Sequence, residues 1–175
     1  MLKIYLAGAI RDGNADDVAW REKMIGKLEK QAIFLNPLGG KTYNPETKMW
    51  TASGVKPIAS FTVKHDFWCV DRADMVVFNF RALTEKYPNI GTLVEFGRAT
   101  SRGGLIYSIV NPTYTGHENT ALFKLHPFLE ENSAAVFPTV DSCIEFMRRH
   151  LEVLSGRDPH MHQFVVPPLK GFDGA

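Results

Sequence analysis

Asp74-Met75-Val76-Val77-Phe78-Asn79-Phe80 is the segment that most narrows the fold. Its apolar residues run on without the polar alternation of a strand wetted on one face. Such a run reads as a buried strand. Lys3 to Ala7, ended by Gly8, is a second short apolar and aromatic strand, apolar on both faces. Ala32 to Leu35 stops at Asn36-Pro37, and Leu105 to Val110 stops at Asn111-Pro112. Ala134 to Phe137 is a weaker fifth candidate.

Helical patterns separate these strands. Asn14 to Lys30 has Asn14 or Asp16 as a cap and Val18, Met24, Ile25 and Leu28 as an apolar face, with Trp20 packing and Arg21 on the surface. Pro57 to Arg72 begins with a proline in its first turn. Gly91 to Arg102, a helix near Asn119 to Glu131, and Val140 to Leu154 follow. Alternation of this kind predicts an α/β domain, a doubly wound five-stranded parallel sheet with helices on both faces. Residues 1–154 form that single domain, and 155–175, rich in Pro, Gly and His, form an irregular tail. Leu38 to Val55 reads as a long loop, a candidate lid.

Composition excludes several function classes. A formal net charge of +1 gives no electrostatic footprint for nucleic acid and no polybasic membrane patch. No apolar stretch approaches the roughly 18 residues of a membrane span, and Met1 to Gly8 is too short an apolar run for a signal peptide. Cys69 and Cys143 lie far apart without metal spacing, which predicts reduced thiols in a cytoplasmic protein. His160-Met161-His162 lacks an acidic or cysteine partner, so no metal site is assigned.

In an open parallel sheet, ligands bind beyond the carboxyl ends of the strands. Gly8 to Gly13, Asn36 to Val55, Arg81 to Gly91 and Asn111 to Gly116 fall at that edge. Gly8, Ala9 and Ile10 are small enough, or close enough to glycine, for a ligand to approach the backbone. The segment is neither G-x-G-x-x-G nor a P-loop. Arg11 either meets an anion, stacks on a base, or is a solvated loop residue. Thr92-x-x-Glu95 is a capping box, which puts Glu95 in the first turn of its helix. A carboxylate there is kept ionised by free N–H groups and the helix dipole, which suits a cap or a nucleophile equally. Asp66 is either a second carboxylate for the same edge or a surface residue. Asp71 and Asp74 flank a helix-to-strand turn and are structural.

The ordered set Tyr5-Leu6-Ala7-Gly8-Ala9-Ile10, then Asp66 with Ala73-Asp74-Met75-Val76-Val77, then Gly91-Thr92-x-x-Glu95-x-Gly97-x-Ala99 resembles the nucleoside 2-deoxyribosyltransferase superfamily. That superfamily also holds the 2′-deoxynucleoside 5′-phosphate N-hydrolases. The resemblance covers roughly residues 3–110. It implies a flavodoxin-like fold and cleavage of an N-glycosidic bond through a covalent glycosyl-enzyme, with no cofactor. Its partners are a nucleoside or nucleotide and a free base, and its assembly is a homo-oligomer with shared active sites.

By position, the resemblance makes Glu95 the nucleophile, Asp66 the group handling the base, and Tyr5 the hydrogen-bond partner of the nucleophile. Gly91 belongs to the turn before Glu95, and Asn132 is the residue offered to a neighbouring chain. Asn89 stands where transferases carry an aspartate for the 5′-hydroxyl and the hydrolases a serine for the phosphate. An amide both donates and accepts, so nucleoside and monophosphate stay open. Two rivals remain. One is a phosphoribohydrolase of the cytokinin-activating type, whose Pro-Gly-Gly lead-in is missing at Pro88-Asn89-Ile90. The other is a non-catalytic nucleotide sensor on the same fold.

Overall fold

A computed structural model describes residues 1–11, 14–44, 46, 49–52, 59–83, 89–110 and 127–156. Its elements are β1 (Leu2–Gly8), α1 (Asp16–Leu28), β2 (Ala32–Leu35), β3 (Lys41–Asn44), β4 (Met49–Ala52), α2 (Ala59–Arg72), β5 (Met75–Asn79), α3 (Ile90–Ser101), β6 (Leu105–Ile109), α4 (Pro127–Glu131), β7 (Ala135–Phe137) and α5 (Val140–Leu154). Five strands pair in the order β2-β1-β5-β6-β7, every pair parallel. This is the flavodoxin-like arrangement. The chain leaves β1 for the β2 side and returns across it to β5, so the order reverses between β1 and β5.

Strand alternation divides the core. Ile4 and Leu6 of β1, Met75 and Val77 of β5, and Tyr107 and Ile109 of β6 pack with Trp20, Met24 and Leu28 of α1 and with α5. Tyr5 and Ala7, Val76 and Phe78, and Ile106 face Val70 of α2 and Phe96 and Ala99 of α3. Both faces are dry, hence the unbroken apolar run of β5. Burying each large side chain contributes about 1.5–3 kcal/mol.

Two contacts set α3 against its surroundings. Phe96 meets Phe78 edge-on at 5.1 Å and Phe80 at 5.7 Å. Arg98 forks onto Asp71 of α2 at 2.7 and 2.6 Å and lies over the Phe67 ring. Asp74 accepts from the Lys3 backbone N–H at 2.7 Å, a structural role like that of Asp71.

Several readings are corrected. Part of the expected 38–55 loop is an antiparallel hairpin, β3–β4, whose Tyr43 and Trp50 rings pack at 5.2 Å. Phe61 of α2 is half exposed. Helix α3 starts at Ile90, with Asn89 before it in the left-handed region at φ 43°. Thr92 therefore lies inside the helix, and no acidic residue occupies its first turn. The capping box is absent. Helix α1 starts at Asp16, and the Asn14 carboxamide accepts from the Asp16 N–H. Pro57, most of the expected 119–131 helix, the 111–116 turn, His160-Met161-His162 and the tail beyond 156 lie outside the described residues.

Candidate active site

In a sheet of this order the place for a ligand is the carboxyl edge at the switch between β1 and β5. At that edge Tyr5, with no solvent exposure, donates its hydroxyl to Glu95 Oε1 at 2.7 Å. The pair is separated by ninety residues in sequence, and the fold joins it by stacking α3 on the face of β1 that carries Tyr5.

Glu95 is the sixth residue of α3, beyond reach of the free N–H groups at the helix start. Burial pushes its carboxyl up to about 7. The Tyr5 hydrogen bond opposes that rise, the charge of Asp66 adds to it, and Arg21 opposes it. The environment thus brings the group to the edge of ionisation at neutral pH. The helix-dipole account, which would keep it firmly ionised, does not hold. The Tyr5 phenol is raised by burial and by Glu95, so it stays a proton donor in the bond.

Asp66 of α2 lies within electrostatic reach of Glu95 and Tyr5. Its side chain is 17% exposed and bonds His65 Nδ1 at 3.2 Å. Burial raises its carboxyl, while His65, Lys41 of β3 and Arg21 lower it. The hairpin therefore brings a cation within electrostatic reach of Asp66. Cys69 lies close by, but burial pushes its thiol up to about 11, which leaves it a poor nucleophile.

Gly8 sits at the end of β1, where an added Cβ would fall 3.1 Å from the Asn79 carbonyl and 3.3 Å from Trp20. A glycine lets β1 and β5 approach there. Ala9 is buried and Ile10 partly buried. Arg11 is held by Asp17 through Nε and Nη2, both at 2.8 Å, and Asp17 also accepts from the Arg11 backbone N–H. A cavity of about 360 Å³ opens on the α1 side of this edge, lined by Ala9, Arg11, Trp20, Asn79 and Arg81 among others. Asn89 Nδ2 is buried without a hydrogen-bond partner among the described residues. Gly91 is in the first turn of α3, not in a turn before it, and a side chain there would meet nothing. Asn132 donates to the Phe128 carbonyl of α4 at 2.7 Å, and no contact among the described residues joins it to Glu95.

Sequence reasoning put Arg21 on the surface. It is fully buried. It shares the inner stripe of α1 with Asp17, Met24 and Leu28, at i−4, i+3 and i+7, and that spacing was the signal available.

The family model described as "Nucleoside 2-deoxyribosyltransferase like" matches residues 1–113. Among solved structures, a conserved protein from Enterococcus faecalis V583 superposes with a TM-score of 0.61 at 14% identity, over 86% of this chain and 99% of its own. A 2-deoxyribosyltransferase from the psychrotolerant bacterium Bacillus psychrosaccharolyticus gives 0.56 at 18% identity, over 85% and 95%. A CMP N-glycosidase from Clostridium botulinum gives 0.48 at 15% identity, over 83% and 98%. At such identities the likeness bears on the fold alone. No curated protein sequence matches the chain.

Proposed function

As the chain belongs to the nucleoside 2-deoxyribosyltransferase-like family, we propose that it transfers the deoxyribosyl group of a 2′-deoxynucleoside from one base to another. The Tyr5–Glu95 hydrogen bond at the switch-point edge is the observation that carries this reading. With Oε1 held by Tyr5, the other Glu95 oxygen attacks C1′. The C1′–N bond breaks, and its electron pair leaves with the base. Asp66, raised by burial, gives the departing base its proton or orients it. A second base then attacks C1′, its N–H proton passing to Asp66, as the C1′–O bond breaks and frees the Glu95 carboxylate. Asn132 of a neighbouring copy completes the site in this proposal.

Asn89 supports a second reading, hydrolysis of a 5′-monophosphate. Its Nδ2, buried without a hydrogen-bond partner among the described residues, is a donor available to an oxygen of the 5′ group. Arg11 weighs the other way, because a phosphate must compete with the Asp17 fork for it. Deoxynucleosides and their 5′-monophosphates, incubated with and without an acceptor base and followed by chromatography, separate the two. Base exchange from the nucleoside is the expected result. Base release confined to the monophosphate, with no exchange, selects the hydrolase. Neither exchange nor release from any of them refutes both.

A further inference from the structure

We propose that Arg21 is a positioning residue of this site, tying down the carboxyl end of β1 from its α1 face and supplying the buried positive charge that acts on Glu95. The role in turnover rests on the proposed reaction. The role toward the Glu95 carboxyl does not.

The geometry is specific. Arg21 has no solvent exposure. Its Nε donates to the Leu6 carbonyl at 3.2 Å, Nη2 to Gly8 at 2.9 Å, and Nη1 to Ala9 at 3.2 Å and to Asp17. Three of these four carbonyls belong to the end of β1 and the turn after it, the strand that carries Tyr5. The planar guanidinium offers five N–H donors in a fixed fork, so one group can hold several carbonyls at once. Its Cζ also lies 4.6 Å from the Trp20 ring centre, which pins it from the α1 side.

Carbonyls satisfy the donors but leave the charge uncompensated. No carboxylate oxygen lies within 4 Å of Arg21 among the described residues. A buried cation without an ion pair is destabilising, and an apolar side chain of similar volume would pack between α1 and β1 without that penalty. The fold therefore tolerates at this point something that packing does not require. Burial lowers the guanidinium to about 10, so it remains charged at neutral pH, and the groups that raise it again are Tyr5, Glu95, Asp17 and Asp66. Two of those are the proposed catalytic carboxylates.

The other charges near the pair do not take its place. Glu95 is bonded by Tyr5 of β1 and feels the charges of Asp66 of α2 and, across the sheet, Arg21 of α1. Asp66 is faced by His65 of its own helix, by Lys41 of β3 and by Arg21, with Cys69 beyond it. His65 and Lys41 are partly exposed and act on Asp66, not Glu95. Arg21 is the buried cation of the set.

The test compares Arg21→Met and Arg21→Gln, which remove the charge, with Arg21→Lys, which keeps the charge and loses the fork. The primary readout is the Glu95 carboxyl titration followed by ¹³C NMR in the full chain, with Glu95→Gln identifying the resonance. In the neutral variants the midpoint should rise by about one pH unit or more, equivalent to a tenfold change in proton affinity. In Arg21→Lys it should stay within about 0.3 unit. In base release, the neutral variants should shift the acid limb upward by the same amount. Arg21→Lys should lower kcat with the limb in place, because the carbonyls are no longer held. An unmoved Glu95 titration in a folded neutral variant overturns the proposal. So does the case where both neutral variants fail to fold and Arg21→Lys folds, since the fold alone then explains the cation. If the unsubstituted protein releases no base from any probe, the proposed reaction fails while the titration still decides the role of Arg21.

Discussion

Tyr5→Phe isolates one interaction. The ring stays in the α2–α3 core, where Tyr5 is fully buried, and the variant deletes only the hydroxyl that donates to Glu95 Oε1 at 2.7 Å. A hydrogen bond to a charged group is worth about 1.5–3 kcal/mol. At 1.36 kcal/mol per pH unit this corresponds to a rise of about 1–2 units in the carboxyl. Glu95 starts at about 7, so the variant should titrate between about 8 and 9. The ionised fraction at neutral pH then drops from about one half to about one-tenth to one-hundredth, a loss of about 5- to 50-fold in kcat/KM. Raising the pH to about 9.5 should recover most of that loss. The assay is the pH dependence of kcat/KM for base release, read as free-enzyme ionisation. An acid limb that stays in place, or a deficit that persists undiminished at the alkaline end, refutes the argument that Tyr5 holds the ionised form.

The Glu95 carboxyl also links stability to pH. Its folded value, about 7, lies above the ordinary 4.5. The folded chain therefore binds the proton more tightly, and stability falls as pH rises through that window, by about 3 kcal/mol for a shift of about 2.5 units. Glu95→Gln has no such proton, so its advantage in urea midpoint should grow from about pH 4.5 to about pH 7 and then level off; a pH-independent difference rejects this. Asn89→Ala forces an alanine into the left-handed region at φ 43° and should cost about 1–2 kcal/mol in chemical denaturation, whereas Asn89→Gly should stay within about 0.5 kcal/mol of the parent. Thr139 accepts from the Ser142 N–H at 3.0 Å while Ser142 Oγ accepts from the Thr139 N–H at 3.2 Å. Thr139→Ala should therefore destabilise the chain by about 1 kcal/mol, and an unchanged thermal midpoint denies the box a role in starting α5.

The sheet was legible because its signal is local. Met75 to Phe78 are apolar on both faces because helices cover both, and four residues in a row record that. Tyr5, Asp66 and Glu95 were legible only as an ordered set of motifs. Nothing in their spacing shows that a residue of β1 and a residue of α3 exchange a hydrogen bond across ninety positions. The hairpin was missed because Asn44-Pro45 and the polar residues after it read as loop. Yet Thr42-Tyr43 and Trp50-Thr51 have the β-branched and aromatic character of strands. Arg21 was missed for a different reason. Its burial could be read from the α1 stripe, but its acceptors are main-chain carbonyls, three of them outside α1, and main-chain groups carry no residue identity for a pattern to reveal.

The three-residue shift of the α3 N-cap, from Thr92 to Asn89, changes the physics of the site. Had Thr92 capped the helix, Glu95 would sit among free N–H groups with a low pKa, ionised without help and solvated by the backbone. Beginning at Ile90 instead, α3 carries Glu95 past those groups and into the packed region under Phe96 and Tyr5. There desolvation favours the neutral acid, and ionisation depends on a few specific partners. Tyr5 reaches it from β1, Asp66 opposes it from α2, and Arg21 assists it from α1. A weakly solvated carboxylate near neutral pH is a better nucleophile than a capped one, because fewer hydrogen bonds must be broken as it attacks. It is also more easily disabled, since each partner lies on a different element and β1 connects them. Changes that move the end of β1, at Gly8 or through Arg21, should therefore reach Glu95 without touching it.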